Sequence, residues 1–184
     1  MITKLQNARI YDPINRINGK IRDLYIKNNK IIDKPGRGEK ISKVINLKNK
    51  IIMAGGIDIH SHIAGGKVNL ARLLLPEEHR KYLYSSSDKL RSGSGLGTCS
   101  SFHIGYKYAK LGYTTVFEPA TLPSNARSAI IEMNDIPLID KGTYTVLSND
   151  DFLLKLIQKK TDQKKINDYV AWIIQSTKSL GIKI

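Results

Sequence analysis

Apolar and polar residues alternate with a period of two through most of the first fifty positions, the pattern of half-buried β-strands. Residues 4–11 form one such run, closed by Asp12 and Pro13, and residues 21–26 form a second. A turn at Asn28 and Asn29 leads into Lys30, Ile31 and Ile32, because asparagine tolerates the left-handed backbone that a tight hairpin needs. After a loop at 35–38, residues 43–47 and 50–53 predict a hairpin about Lys48 and Asn49. Residues 1–53 are therefore expected to form a small antiparallel β unit.

From Gly55 and Gly56 onward the pattern changes to strands followed by helices. Residues 57–62 predict a buried strand and 114–117 a second, entered from a helix over 106–111 that stops at Gly112. Residues 123–127 open a helix running through Met133, and 143–147 predict a third strand. Asn149, Asp150 and Asp151 supply helix-capping side chains ahead of Phe152, Leu153, Leu156 and Ile157. The polar stretch 158–165 reads as a wet turn. A final helix gathers Tyr169, Val170, Trp172, Ile173 and Ile174 on one side, stops at Gly181, and leads into a strand beginning with Ile182 and Lys183. The division expected is 1–53 and 54–184.

Composition narrows the class. The 184 residues are 41% hydrophobic and 25% charged, inside the globular range. Lys and Arg number 30 against 16 acidic residues, a net charge of +14. The lysines are scattered singly and lack interleaved aromatics, so the charge reads as a solvated surface, and no nucleic-acid partner is expected. A single cysteine, Cys99, excludes an internal disulfide framework and points to a reducing compartment. Neither a signal peptide nor a membrane-spanning run is present, so a cytoplasmic protein without a membrane partner is expected.

Candidate chemistry concentrates at Asp58, His60 and His62. Two imidazoles at i and i+2 on a strand project from one face and can grip one cation, and imidazole suits zinc. As a bare pattern His-x-His is common and is also read as two ordinary polar residues. Gly55 and Gly56 before it and Gly65 and Gly66 after it favour the metal reading.

With its flanks, this segment resembles the amidohydrolase superfamily. Asn7 to Asp12, Asp23 to Ile26, Lys30 to Ile32, Val44 to Asn46, and Gly56 to His62 follow that family's order, with Ala54 standing where proline is common. Within it, the run from His62 through Gly65, Gly66, Lys67, Val68 and Asn69 to Arg72, then Pro76 to His79, is similar to the family of catalytic amidohydrolase subunits found in formylmethanofuran dehydrogenases. So are residues 105–120, 134–137, 140–142 and 169–183.

The resemblance implies an α/β fold: a small N-terminal β-sandwich portion, then the first part of an incomplete metal-dependent (β/α)8 barrel. Residues 54–184 fall short of the roughly 200 or more residues of a complete barrel. It further implies two zinc ions bridged by a carboxylated lysine, with His60, His62 and Lys183 as metal ligands and Lys183 also a catalytic residue. The activity implied is reversible hydrolysis of a formyl amide, with formylmethanofuran, methanofuran and formate as small-molecule partners and the dehydrogenase's other subunits as protein partners. Without the resemblance, Lys183 reads as a solvated lysine.

Two alternatives remain open: a cyclic-amide hydrolase of the dihydroorotase or hydantoinase type, and a catalytically silent remnant that at most binds sister subunits. Other residues carry weaker signals. Residues 91–97 imitate a phosphate loop but lack a preceding strand, and read better as a loop over the barrel mouth. His79 and His103 are expected to be polar surface or capping histidines, and Cys99 an inert small residue. Glu118, at the end of the second strand, lies on the face a barrel uses for catalysis and is equally readable as a structural carboxylate.

Overall fold

Eleven residues of mixed polarity, Ile2–Asp12, form β1, and this strand organises everything around it in the N-terminal part of the chain. It pairs antiparallel with β2 (Ile17–Lys27), which pairs antiparallel with β3 (Lys30–Ile32) across the Asn28 and Asn29 turn, both residues with positive φ. Between Leu5 and Ala8 the register shifts, with Leu5 opposite Leu24 and Ala8 opposite Arg22. Asn7 absorbs the extra residue in a left-handed conformation (φ 64°), its amide held by Asp23 Oδ1 at 3.0 Å. The bulge returns Leu5, Ala8 and Ile10 to one face, and Ala8 and Ile10 are buried there.

The expected hairpin of the third pair is not formed. Strands β4 (Lys43–Asn46) and β5 (Ile51–Met53) do not pair with each other; each runs parallel to β1, β4 beside Thr3 to Gln6 and β5 beside Arg9 to Tyr11. The turn between them keeps both on one edge, since Leu47 N–H donates to Gln6 O at 2.7 Å and Arg9 N–H to Lys50 O at 3.0 Å. The sheet is therefore mixed, five-stranded and not purely antiparallel.

The structure, a computed structural model, describes residues 1–75, 77 and 96–184. His79 and residues 91–95 of the phosphate-loop imitation lie outside these, as does the side chain of Cys99. The chain divides into two units, Met1–Ala54 and Gly55–Ile184.

The second unit is an α/β layer on four parallel strands in sequence order: β6 (Gly56–Asp58), β7 (Tyr113–Thr121), β8 (Asp140–Val146) and β9 (Gly181–Lys183). Helices α1 (Gly66–Leu73) and α2 (Leu96–Lys110) lie between β6 and β7 in the chain, and α3 (Ala126–Met133) between β7 and β8. Helices α4 (Asp151–Gln158) and α5 (Gln163–Thr177) lie between β8 and β9. This is the strand–helix alternation of a partial (β/α) barrel. One core joins Ile63, Ala64, Val116, Met133, Ile136 and Ile139; a second joins Leu147, Leu153 and Ile173, with Ile182 packed against it.

Helix α5 buries a narrower stripe than expected. Ile166, Tyr169, Val170, Ile173 and Thr177 recur at helical spacing, whereas Trp172 is 58% exposed. The helix also ends before Gly181: Lys178 takes the left-handed cap (φ 56°) and Ser179 N–H reaches back to Ile174 O. At the start of α4, Asp150 Oδ1 accepts from Leu153 N–H at 2.8 Å and from the Tyr169 hydroxyl at 3.0 Å. Replacing Asp150→Ala removes the cap and strands the Tyr169 hydroxyl. A loss of about 1–2 kcal/mol is expected in urea unfolding.

Candidate functional site

Strand β6 is shorter than its sequence predicts. Pairing with β7 runs from Gly56 to Asp58, is interrupted, and resumes at Ser61, whose N–H donates to Phe117 O at 2.9 Å. The interruption has a local cause: Asp58 Oδ1 accepts the His60 N–H at 3.0 Å, so a side chain takes the place of the ladder. Ile57 and Ile59, expected in a buried strand, are each 63% exposed. His60 and His62 thus lie beyond the strand's C-terminal end. They still come together, with ring centroids 5.3 Å apart and planes nearly perpendicular at 89°.

A chain of hydroxyls holds the base of this bend. Tyr108 donates to Ser61 Oγ at 2.9 Å, and the Ser61 hydroxyl, with the His60 N–H, keeps the Asp58 carboxyl below the usual range. Burial pushes the Tyr108 phenol up.

Two buried carboxylates then fasten the residues after His62. Glu118, 1% exposed near the end of β7, accepts Ile63 N–H at 2.7 Å and Ala64 N–H at 3.3 Å on Oε2. Its Oε1 lies 3.1 Å from His62 Nδ1 and accepts Ala120 N–H at 3.0 Å. Glu132 on α3, also 1% exposed, accepts Gly65 N–H and Asn69 Nδ2, both at 2.9 Å. Arg72 on α1 bonds Glu132 Oε1, the Ile63 carbonyl, Asn69 Oδ1 and Ser101 Oγ. Burial holds the Arg72 guanidinium below its usual value, with Glu132 opposing that shift. Gly65, with φ 98°, makes the corner from which α1 departs, a conformation that side chains rarely adopt.

A cavity of about 410 Å³ opens beside His62; most of its exposed lining is apolar, with Ala64, Val68, Ala71 and Ala120 among the residues that form it, and Lys67, Arg72, Glu118 and Asn125 also reach its wall. Thr121 also lines it, and its buried hydroxyl has no hydrogen-bond partner among the described residues.

Lys183 is half-buried in β9, separated from β6 by β7 and β8 in the sheet. Because all four strands are parallel, its end of β9 faces the same rim as His60 and His62. Threonine and serine side chains set this strand's place: Thr145 donates to Thr177 at 2.9 Å, and Ser179 lies 3.1 Å from Thr143 and 2.9 Å from Thr177. His103 sits on α2, 6.4 Å from the Tyr106 ring, and burial lowers its pKa. Among the described residues no group of three or more His, Cys, Asp or Glu gathers to hold a metal. No helix among them is long and apolar enough to cross a membrane.

Residues 43–184 match the model of the amidohydrolase family, a span that takes in β4 through β9 and all of the geometry above. The chain belongs to the amidohydrolase family. Members of this family are generally metal-dependent. Among its relatives, protein FwdA of Methanocaldococcus jannaschii is 37% identical over 180 residues, covering 98% of this chain and 31% of FwdA. The FhcA component of the formyltransferase/hydrolase complex Fhc of Methylorubrum extorquens is 36% identical over 183 residues, covering 100% of this chain and 32% of FhcA. A crystal structure of the Fhc complex from that organism, bound to methylofuran, aligns with a TM-score of 0.81 at 34% identity, covering 99% of this chain and 32% of that one. The chain thus spans about a third of the length of these amidohydrolase relatives.

Proposed function

We propose that this chain supplies the first portion of a zinc-dependent amidohydrolase that removes or attaches the formyl group of a furan-bearing amine. In this reading it works as the FwdA-type or FhcA-type component of a formylmethanofuran dehydrogenase or formyltransferase/hydrolase complex. The observation that carries the proposal is the likeness of nearly its whole length to about a third of FwdA and of FhcA, with a TM-score of 0.81 to the methylofuran-bound complex. On the same reading, residues 1–53 are part of the N-terminal sandwich and contribute no ligand, and residues 54–184 are the barrel's first strands.

The donor chemistry fits such a metal. His60 and His62 bring two imidazoles to one strand end, and Lys183 stands on the same rim. His60, His62 and a carboxylated Lys183 would hold the zinc, which when bound polarises the amide carbonyl and activates water. The chain's own contribution is positioning. Asp58 and Ser61 set the bend that carries both rings, Glu118 and Glu132 fix the backbone behind them, and the apolar cavity beside His62 shelters the flat end of an amine from water.

Metal binding and ligand preference test this reading separately. Zinc should bind the chain, and the double replacement His60→Ala with His62→Ala should abolish that binding in calorimetric titration. In thermal melts of the zinc-loaded protein, a formylated furfurylamine should raise the midpoint, whereas a hydantoin should not. Unchanged zinc affinity in the double variant would remove the metal assignment, and stabilisation by the hydantoin alone would favour a cyclic amide as substrate.

A further inference from the structure

We propose that Glu118 is a positioning residue that fixes the tautomer of His62, so that Nε2 is the nitrogen this side chain offers to a cation. The inference deepens the metal reading of the preceding subsection and rests on it for the identity of the ligand, though not for the tautomer. Glu118 lies 56 residues from His62 in the chain, on the neighbouring strand. Its carboxylate meets three backbone N–H groups, those of Ile63 and Ala64 at Oε2 and of Ala120 at Oε1. Backbone amides can only donate, so both oxygens are committed as acceptors. The 3.1 Å contact from His62 Nδ1 to Oε1 therefore has the imidazole as donor. A neutral ring protonated at Nδ1 carries its lone pair on Nε2. The ring is 53% exposed while Glu118 is buried, so one edge is anchored and the rest is open.

This is more than holding a loop together. A carboxylate that only braced Ile63 and Ala64 would leave His62 free to adopt either tautomer. Buried carboxylates that orient a metal-ligating imidazole also raise its basicity, and their loss commonly weakens metal binding by about 10–100-fold.

The replacement Glu118→Gln separates the two roles. Its carbonyl can still accept from Ile63 and Ala64, but its NH2 group then faces His62 Nδ1 and donates where the carboxylate accepted, and the Ala120 N–H alone loses its acceptor. The ring is forced to accept at Nδ1 and carry its proton on Nε2. Long-range ¹H–¹⁵N correlation of the metal-free chain at pH 8.5 should show His62 protonated at Nδ1, and the Glu118→Gln protein should show the inverted pattern. Calorimetric zinc titration should give about a 10–100-fold weaker affinity for Glu118→Gln. A wild-type His62 protonated at Nε2, or a tautomer unchanged by the replacement, overturns the proposal. Should Glu118→Gln not fold, the wild-type spectrum alone decides. If His62→Ala leaves zinc affinity intact while the wild-type tautomer is as stated, the metal reading fails and the positioning role of Glu118 stands. If His62→Ala abolishes zinc binding and Glu118→Gln changes neither tautomer nor affinity, the reverse holds.

Discussion

Arg72→Met is expected to destabilise the protein by about 3–5 kcal/mol, the usual cost of breaking a buried ion pair from one side. Arg72 is 8% exposed and Glu132 1%, so neither charge has water to turn to. Among the described residues, removing the guanidinium leaves the buried Glu132 carboxylate with neutral donors, the Ser101 hydroxyl, Asn69 Nδ2 and the Gly65 N–H. It also takes away a donor from the Ile63 carbonyl. At roughly 2–4 °C per kcal/mol for a chain of this size, the melting midpoint should fall by about 6–20 °C. Neutralising the other partner as well should recover part of the loss, because the cost lies in the uncompensated charge. Arg72→Met with Glu132→Gln is therefore expected to be more stable than Arg72→Met alone in urea unfolding. If the two replacements simply added, the pair would not be coupled. The same change should reach the site, since Ile63 and Gly65 flank Ala64 directly behind His62.

Gly105→Ala is expected to cost about 3 kcal/mol or more, at the upper end of what overpacking usually does. Taken on its own helix, the replacement should help, because glycine inside a helix is about 1 kcal/mol worse than alanine. Packing reverses the sign. A Cβ at Gly105 would stand 2.0 Å from the Pro137 carbonyl oxygen and 2.8 Å from Pro137 Cδ. That carbonyl cannot swing away, because it accepts the Ile139 N–H at 2.9 Å in a tight turn whose central residue, Leu138, has φ 72°. Helix α2 would have to lift from the core that joins Ile136 and Ile139 to Ile104. Urea unfolding would reveal this, and an unchanged midpoint would mean that α2 does not approach Pro137 so closely.

The residues of the candidate site were more legible in the sequence than the scaffolding that holds them. His60 and His62 were legible from their spacing, yet the pleat is not what brings them together. Asp58 captures the His60 amide and ends the strand, and the rings meet across a bend. Glu118 was visible as a carboxylate near a strand end, but its partners Ile63 and Ala64 lie 55 and 54 residues away and leave no periodic trace. Arg72 and Glu132 are separated by 60 residues, and nothing in the sequence pairs them. Helix α1 was illegible for a related reason: Gly66, Lys67, Val68 and Asn69 include weak helix formers, and tertiary bonds from Asn69 and Arg72 hold the turn. The hairpin expected between β4 and β5 failed differently. Strand spacing records that two extended segments are close in sequence, and it is silent on whether an earlier strand claims both.

That shared edge of β1 bears on the order in which the N-terminal sheet assembles. On one side, β1 meets β2 through the turn after Asp12, a contact the chain can make as soon as about 27 residues are free to move. On the other side, Thr3 must find Lys43 and Arg9 must find Ile51, each about 40 residues away, and both segments must arrive in parallel orientation. The hairpin should therefore form early and the parallel edge late. During that interval one flank of β1, with its row of backbone donors and acceptors, stands open to any extended segment that reaches it first. The bulge at Asn7 interrupts that row near its middle, so a competing strand would meet a mismatched ladder, while β4 and β5, split at the same place, fit it.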